Sequence, residues 1–318
     1  MSEIKWGYAV NQWEWNEIVR RNQQERAFKV LSVCGFIGVE LEIGTGRFAP
    51  LGRPELTELN YGSVKSFVDI LNSWGIDQVV SYFYDPGRPS IEEGSPGRCS
   101  SDPAEHEGIV ESARPFAEFL HEAKGSCLVV RPMGSYWREA PVTEDKIKNA
   151  AGCWNKVGRM TKDYGIRTAI HIDFLSALHS MDDIDKMMEF TDPELVGLAV
   201  DTAEMTVAGI DPVKLYEKYH DRVTHFHFKD THNLDKHNEY KEKNAEIHLL
   251  DGGGKQGVER WFWEMGTPEG LVDFPALMKS MKKHNYEGWV IVESDQALNP
   301  AECAMLNNWY IKNILSVI

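Results

Sequence analysis

The sequence predicts an α/β protein built as a single (β/α)8 TIM barrel. Three observations carry that reading. Short apolar, β-rich runs alternate with longer amphipathic stretches; eight such runs fit into 318 residues; and no glycine-rich phosphate loop follows the first. Strict alternation of strand and helix implies a parallel sheet covered by helices. An open doubly wound sheet would place a Gly-rich turn after its first strand. Here that place holds Asn11-Gln12-Trp13-Glu14-Trp15, which cannot wrap a pyrophosphate in that way.

The eight strand-like runs are 4–10, 37–42, 78–84, 127–131, 168–172, 196–200, 223–228 and 289–292. Apolar residues at three- and four-residue spacing predict helices over 16–33, 63–74, 107–123, 145–163, 211–219 and 274–284. Thr143-Glu144-Asp145 puts acid groups early in one helix, and Asp211-Pro212 puts proline in the first turn of another. Gly75, Gly125, Gly165 and Gly288 precede strands, where a helix-to-strand loop commonly needs a positive φ. No internal repeat or low-complexity linker interrupts the chain, so residues 1–318 read as one barrel domain.

Two connections are long: 85–104 after the third strand and 230–272 after the seventh. Both leave the strand ends where barrel active sites form, which predicts lids or binding loops. The second carries Gly252-Gly253-Gly254 and Trp261-Phe262-Trp263. Such aromatics need burial against a substrate, a partner subunit or the barrel rim.

The composition, 42% hydrophobic and 26% charged, is that of an ordinary globular protein. A formal net charge of −15 argues against a nucleic-acid surface, which needs clustered Lys and Arg. Five scattered cysteines without a CxxC pair read as reduced thiols. The first residues lack the pattern of a signal peptide, and no apolar stretch approaches a membrane span. The expected compartment is the cytoplasm.

The chemical signal is positional. His171, Asp201, His227 and Glu293 stand at the C-terminal ends of the fifth to eighth runs, so a barrel brings them together at one side of its mouth. Two imidazoles and two carboxylates suit one divalent metal ion, with Mn²⁺ the first expectation and Co²⁺, Zn²⁺ or Fe²⁺ the alternatives. Each residue alone has a plainer explanation, such as helix capping by Asp201. Four buried ionisable groups at one barrel end would nevertheless be costly without a cation or mutual pairing.

Glu293, Glu204 and His225 are candidate catalytic acids or bases, and Lys229 is a candidate partner for a developing oxyanion. His225 shares the face of His227 one layer deeper, where support of a ligand or simple core filling would also serve. Lys229-Asp230 could equally be an ordinary strand-end ion pair. Asn11, Gln12, Glu42, Tyr82, Arg131 and Ser135 are polar groups near strand ends. Glu42 and Arg131 are the chosen substrate contacts among them, with mutual pairing as the alternative. Trp13 and Trp263 join them as candidate substrate-binding aromatics. No Arg/Lys cluster marks a phosphate site, which favours an unphosphorylated substrate.

Several segments resemble the sugar phosphate isomerase/epimerase superfamily, which has a xylose isomerase-like barrel. They are Val196-Gly197-Leu198-Ala199-Val200-Asp201-Thr202 with Ala208-Gly209-Ile210-Asp211-Pro212, His225-Phe226-His227-Phe228-Lys229-Asp230, and Gly270-Leu271-Val272-Asp273-Phe274. The stretch Tyr286-Glu287-Gly288-Trp289-Val290-Ile291-Val292-Glu293-Ser294-Asp295-Gln296 is most similar to inosose dehydratases. The resemblance implies a divalent metal at strands five to eight and enolate or enediol chemistry on a polyhydroxylated keto substrate: a keto-sugar, cyclitol or keto-glycoside.

This sequence departs from the epimerase pattern twice. His171 replaces the usual fifth-strand glutamate, and Glu204 stands where epimerases carry a substrate-binding histidine. Both changes disfavour a two-glutamate epimerase and favour a lyase. The competing expectations are an epimerase or isomerase, a DNA-repair endonuclease on the same barrel, or a partner-dependent or non-catalytic subunit. The endonuclease would need further metal-binding residues and a basic face. A homo-oligomer is also expected to be possible.

Overall fold

In the computed structural model the runs become eight parallel strands closed in the order β1 to β8, with β8 returning to pair with β1. The structure describes residues 4–13, 21–42, 53–87, 97–243, 245, 253–295 and 297–318. The strands are β1 (Ile4–Ala9), β2 (Gly38–Glu42), β3 (Gln78–Tyr84), β4 (Cys127–Val130), β5 (Arg167–His171), β6 (Val196–Asp201), β7 (Val223–Phe228) and β8 (Gly288–Val292). The third and seventh coincide with the expected runs, and the others differ only at their ends. The closed barrel agrees with the fold class read from the sequence.

Among the described residues the α-helices longer than a single turn are α1 (Arg21–Val33), α2 (Pro54–Tyr61), α3 (Val64–Ser73), α4 (His106–Ala123), α5 (Glu144–Asp163), α6 (Met181–Phe190), α7 (Thr202–Val207), α8 (Pro212–Tyr219), α9 (Phe274–Lys283) and α10 (Pro300–Asn313). Their starts follow local chemistry. The Thr143 side chain accepts from the Lys146 N–H, and Asp211 accepts from the N–H groups of Val213 and Lys214. Ser180 and Asp183 close a reciprocal capping box on α6. The part of the first expected helix at 16–20 lies outside the described residues. The sequence reading did not single out α10, because its apolar residues lie on more than one side. Ala304 and Ile311 are buried while Met305, Leu306 and Trp309 are exposed.

One glycine expectation needs correction. Gly75, Gly165 and Gly288 have positive φ, but before β4 that conformation falls on Lys124 and not on Gly125. Gly125 is instead required by close approach, since a Cβ there would lie 2.6 Å from Leu120 Cδ2.

The expectation that the aromatic loop seeks burial resolves toward the barrel rim. Trp261 and Phe262 are buried against Phe174 in the connection after β5. The loop is anchored by an antiparallel bridge between Asp230 and Trp263. Gly252 and part of the connection at 85–104 lie outside the described residues. No helix among the described residues is long and apolar enough to cross a membrane.

The barrel floor is plugged by Trp289 and Ile291 from β8, which cluster with Ala9 and Val80. Room for the indole comes from Gly38, where a Cβ would meet the Trp289 ring at 2.4 Å and Val80 at 2.7 Å. The Gly38→Ala variant is therefore expected to lose roughly 1–3 kcal/mol of stability through overpacking. Urea denaturation beside the wild type checks this, and an unchanged midpoint would mean that the floor has slack.

Candidate metal centre and active site

Side chains two residues apart on a barrel strand point into the same lumen. On β7 this sets His225, His227 and Lys229 in one file that climbs toward the mouth. His171 ends β5, Asp201 ends β6, and Glu293 directly follows β8. All six are buried.

Asp201 divides its two oxygens between fold and site. Oδ1 accepts from the backbone N–H groups of Ala203 and Glu204 and so caps α7. Oδ2 lies 3.2 Å from His171 Nε2, 3.6 Å from His227 Nδ1 and 3.1 Å from Lys229 Nζ. Glu293 Oε2 approaches the same His227 Nδ1 at 3.6 Å and the same ammonium at 3.0 Å.

His171, Asp201 and His227 offer donor atoms within 4.8 Å of one another, a set that could hold a metal ion. The chemistry of the donors fits such an ion. His227 Nδ1 is buried without a hydrogen bond and faces two carboxylate oxygens, while Nε2 is turned to Glu40. Two imidazoles with carboxylates suit Mn²⁺, Zn²⁺, Co²⁺ or Fe²⁺ better than Ca²⁺.

Each imidazole also has a carboxylate behind it. Asp173 Oδ1 stands 2.8 Å from His171 Nδ1, and its Oδ2 is held by Arg131 Nε at 2.6 Å. Glu40 Oε1 stands 2.9 Å from His227 Nε2, and its Oε2 pairs with His225 at 3.0 Å and accepts from Ser81 Oγ. Carboxylates so placed orient metal-binding histidines and raise their basicity.

Burial alone would lower the His171 imidazole; Asp173 and Asp201 overcome it and lift the group to about 9. Burial pushes Glu204 up to about 8 despite the nearby Lys229 ammonium, and pushes Glu293 up to about 7 against His227 and Lys229. Burial would also lower Lys229, but the carboxylates around it keep it charged. Two glutamates that resist ionisation thus sit beside a cation that does not lose its proton.

The remaining expected residues are distributed unevenly. Glu204 is in the mouth, with Oε2 accepting from the Phe174 N–H and Oε1 3.5 Å from Lys229. Glu42 is buried at the end of β2. Arg131 pairs with Asp173 and, at 3.2 Å, with Asp85. His225 lies beneath His227 and pairs with Glu40, and Glu40, His225 and His227 form a second group close enough to hold an ion. The ordinary Lys229–Asp230 ion pair is not made. Lys229 turns to four other carboxylates, and Asp230 accepts from the N–H groups of Thr231, Gly266 and Val272.

Trp13 packs in the core edge-on to Tyr8, and Tyr82 packs against Phe116 and Phe119. Trp263 is half-buried and stacks on His232. Gln296 lies outside the described residues. Sequence reasoning missed Glu40, Asp173 and Asp295 as members of the site. Asn11, named only as a strand-end polar group, donates to Asp295 at 3.0 Å and to Glu293 at 3.5 Å.

The family model of the xylose isomerase-like TIM barrel matches residues 28–308, and the chain belongs to that family. Among curated proteins it is similar to the inosose dehydratase of Clostridium beijerinckii. The two are 32% identical over 208 residues, covering 61% of this chain and 67% of that one. The expected likeness to inosose dehydratases is therefore found.

Among solved structures it is similar to the probable 3-DHS dehydratase AsbF of Bacillus anthracis, with a TM-score of 0.71, 12% identity, and coverage of 98% and 100%. It is also similar to the IolI protein with a bound zinc atom, with a TM-score of 0.68, 13% identity and 99% coverage of each. These two likenesses are of fold.

Glu40 is buried and pairs with both His225 and His227. Replacing it by Gln is expected to cost roughly 3–5 kcal/mol at neutral pH, because buried charge is left uncompensated. Chemical denaturation measures this; a loss under about 1 kcal/mol, the scale of an exposed pair, would mean that the pairing contributes little.

Proposed function

We propose that this chain, an enzyme of the barrel family named above, is a divalent-metal-dependent carbon–oxygen lyase. Its substrate would be a polyhydroxylated ketone of the inosose or keto-sugar class. His171, Asp201, His227 and Glu293 would hold the ion, with Mn²⁺ favoured over Co²⁺, Zn²⁺ or Fe²⁺. The observation that carries the reading is the asymmetry of the mouth: an imidazole, His171, stands on β5 where a second exchanging carboxylate would stand in an epimerase. The inosose dehydratases among its relatives support the same class.

A bound ion supplies positive charge against the negative charge that builds on a carbonyl oxygen when the neighbouring carbon loses a proton. Glu293 takes that proton. The C–H electron pair becomes the new double bond as the adjacent C–O bond breaks, and the departing hydroxyl collects a proton from Glu204 to leave as water. Burial keeps Glu204 protonated near neutral pH for this step. Lys229, held charged, adds positive field beside both glutamates. Glu42 and Arg131 at the rim orient hydroxyls, Arg131 through the carboxylates it grips. Trp263 would border the bound substrate, while the core position of Trp13 gives it a packing role.

Residues 1–318 act as one barrel domain in this reading, soluble in the cytoplasm, with a small molecule as partner. A second reading, epimerisation or isomerisation, needs the proton delivered back in place of hydroxide loss: to the opposite face of the same carbon for epimerisation, or to the neighbouring carbon for isomerisation. A non-catalytic subunit would leave the buried donor set without use.

Incubating the metal-loaded protein with keto-inositols and keto-sugars separates the readings. Elimination produces the ultraviolet absorbance of a conjugated enone, whereas epimerisation incorporates solvent deuterium without absorbance; neither signal on any substrate would remove the enzymatic proposal. The pH profile tests Glu204. Because its acid form is required and its proton is lost near 8, kcat is expected to fall as pH rises through about 8. Glu204→Ala should lower kcat by ~10²–10⁴-fold and abolish that limb. An alkaline limb that survives the substitution would assign the proton to another group.

A further inference from the structure

Lys229 Nζ is ringed by four carboxylate oxygens: Asp295 Oδ2 at 2.7 Å, Glu293 Oε2 at 3.0 Å, Asp201 Oδ2 at 3.1 Å and Glu204 Oε1 at 3.5 Å. Two of these, Asp201 Oδ2 and Glu293 Oε2, are also the oxygens that face His227 Nδ1. The other two are bound to neither histidine. The ammonium therefore stands between an inner pair that belongs to the donor set and an outer pair that does not.

We propose that Lys229 is an internal counter-cation that competes with the divalent ion for Asp201 and Glu293, and that metal loading hands its ammonium over to Asp295 and Glu204. The inference rests on the metal-site reading above. Two cations sharing the same buried oxygens repel strongly, because little water screens them. With neither cation the crowded carboxylates of Asp201, Glu293 and Asp295 would repel one another as well. Lysine on a flexible stem meets both demands: it neutralises the metal-free site, and it can turn aside when a divalent ion arrives.

The surroundings allow that movement in one direction. The inner side is closed by the helix cap that fixes Asp201 and by Glu40 behind His227. On the outer side the Phe262 ring lies 4.2 Å from Nζ, a face that favours a cation. Asp295 is the more exposed of the outer carboxylates and is steadied by Asn11. After the handover the ammonium lies beside Glu204, the proposed proton donor, so metal loading and the placing of this charge become one event.

The test is direct titration of the full-length protein, stripped with chelator, with Mn²⁺ and with Zn²⁺ by calorimetry. The wild type is compared with Lys229→Met and with His227→Ala as the site control. Competition predicts that Lys229→Met binds the metal at least tenfold more tightly and melts lower than wild type without metal, with the deficit largely removed on saturation. Lys229→Gln gives the same readings should the Met variant not fold.

Equal or weaker affinity in a folded Lys229 variant, beside normal binding by wild type and loss in His227→Ala, overturns the competition and leaves the metal site standing. Failure of the folded wild type to bind either ion overturns the metal site and the competition with it.

Discussion

The mouth of this barrel depends on one buried carboxylate doing two things at once. Asp201 Oδ1 is committed to the first turn of α7, where the Ala203 and Glu204 N–H groups hold it. That commitment fixes the direction of Oδ2, which is then the common neighbour of His171, His227 and Lys229. It also orients Glu204, because the same cap sets the turn from which Glu204 projects. A helix cap and a candidate ligand set are here one residue. The plainer explanation of a strand-end aspartate and the functional one are therefore not alternatives.

Around that anchor the charges are arranged in layers. Glu40 and His225 form the deepest, Asp201 with His171 and His227 the next, and Glu204, Lys229, Glu293 and Asp295 the outermost. Buried carboxylates in such number are tolerable only because each faces an imidazolium, a guanidinium, an ammonium or a backbone N–H. The Arg131 pairs with Asp85 and Asp173 extend the same logic to the rim.

Much of this was legible from the sequence. Strand-end position alone brought His171, Asp201, His227 and Glu293 together, because closure of a parallel barrel turns consecutive strand ends into neighbours. The missed residues share a simple pattern. Asp173 lies two positions after His171 and Asp295 two after Glu293, as the expected Lys229 lies two after His227, so each continues the inward face of its strand past the last ladder bond. Reading that alternation beyond the strand would have placed Asp173 and Asp295 in the mouth. Glu40 and Glu42 share the inward face of β2, and only the register across the barrel shows that Glu40 is the one that meets His225 and His227. An aromatic next to a strand end, such as Trp13, can turn to the core as easily as to the mouth. Its packing on Tyr8 is a long-range fact.

The long connection after β7 shows how the fold completes the site from outside the strands. Asp230 leaves the inward file and accepts N–H groups from Thr231, Gly266 and Val272, drawing both ends of the connection onto one carboxylate. Gly270 permits this closeness, since a Cβ there would fall 2.2 Å from Asp230 Oδ2. The backbone bridge from Asp230 to Trp263 then carries Phe262 inward, where its ring covers Lys229. Burial at this point removes water from the ammonium and from Glu204 together, which strengthens every charge interaction between them. The loop therefore acts on the chemistry through the dielectric it creates, and Asp230 acts through the loop.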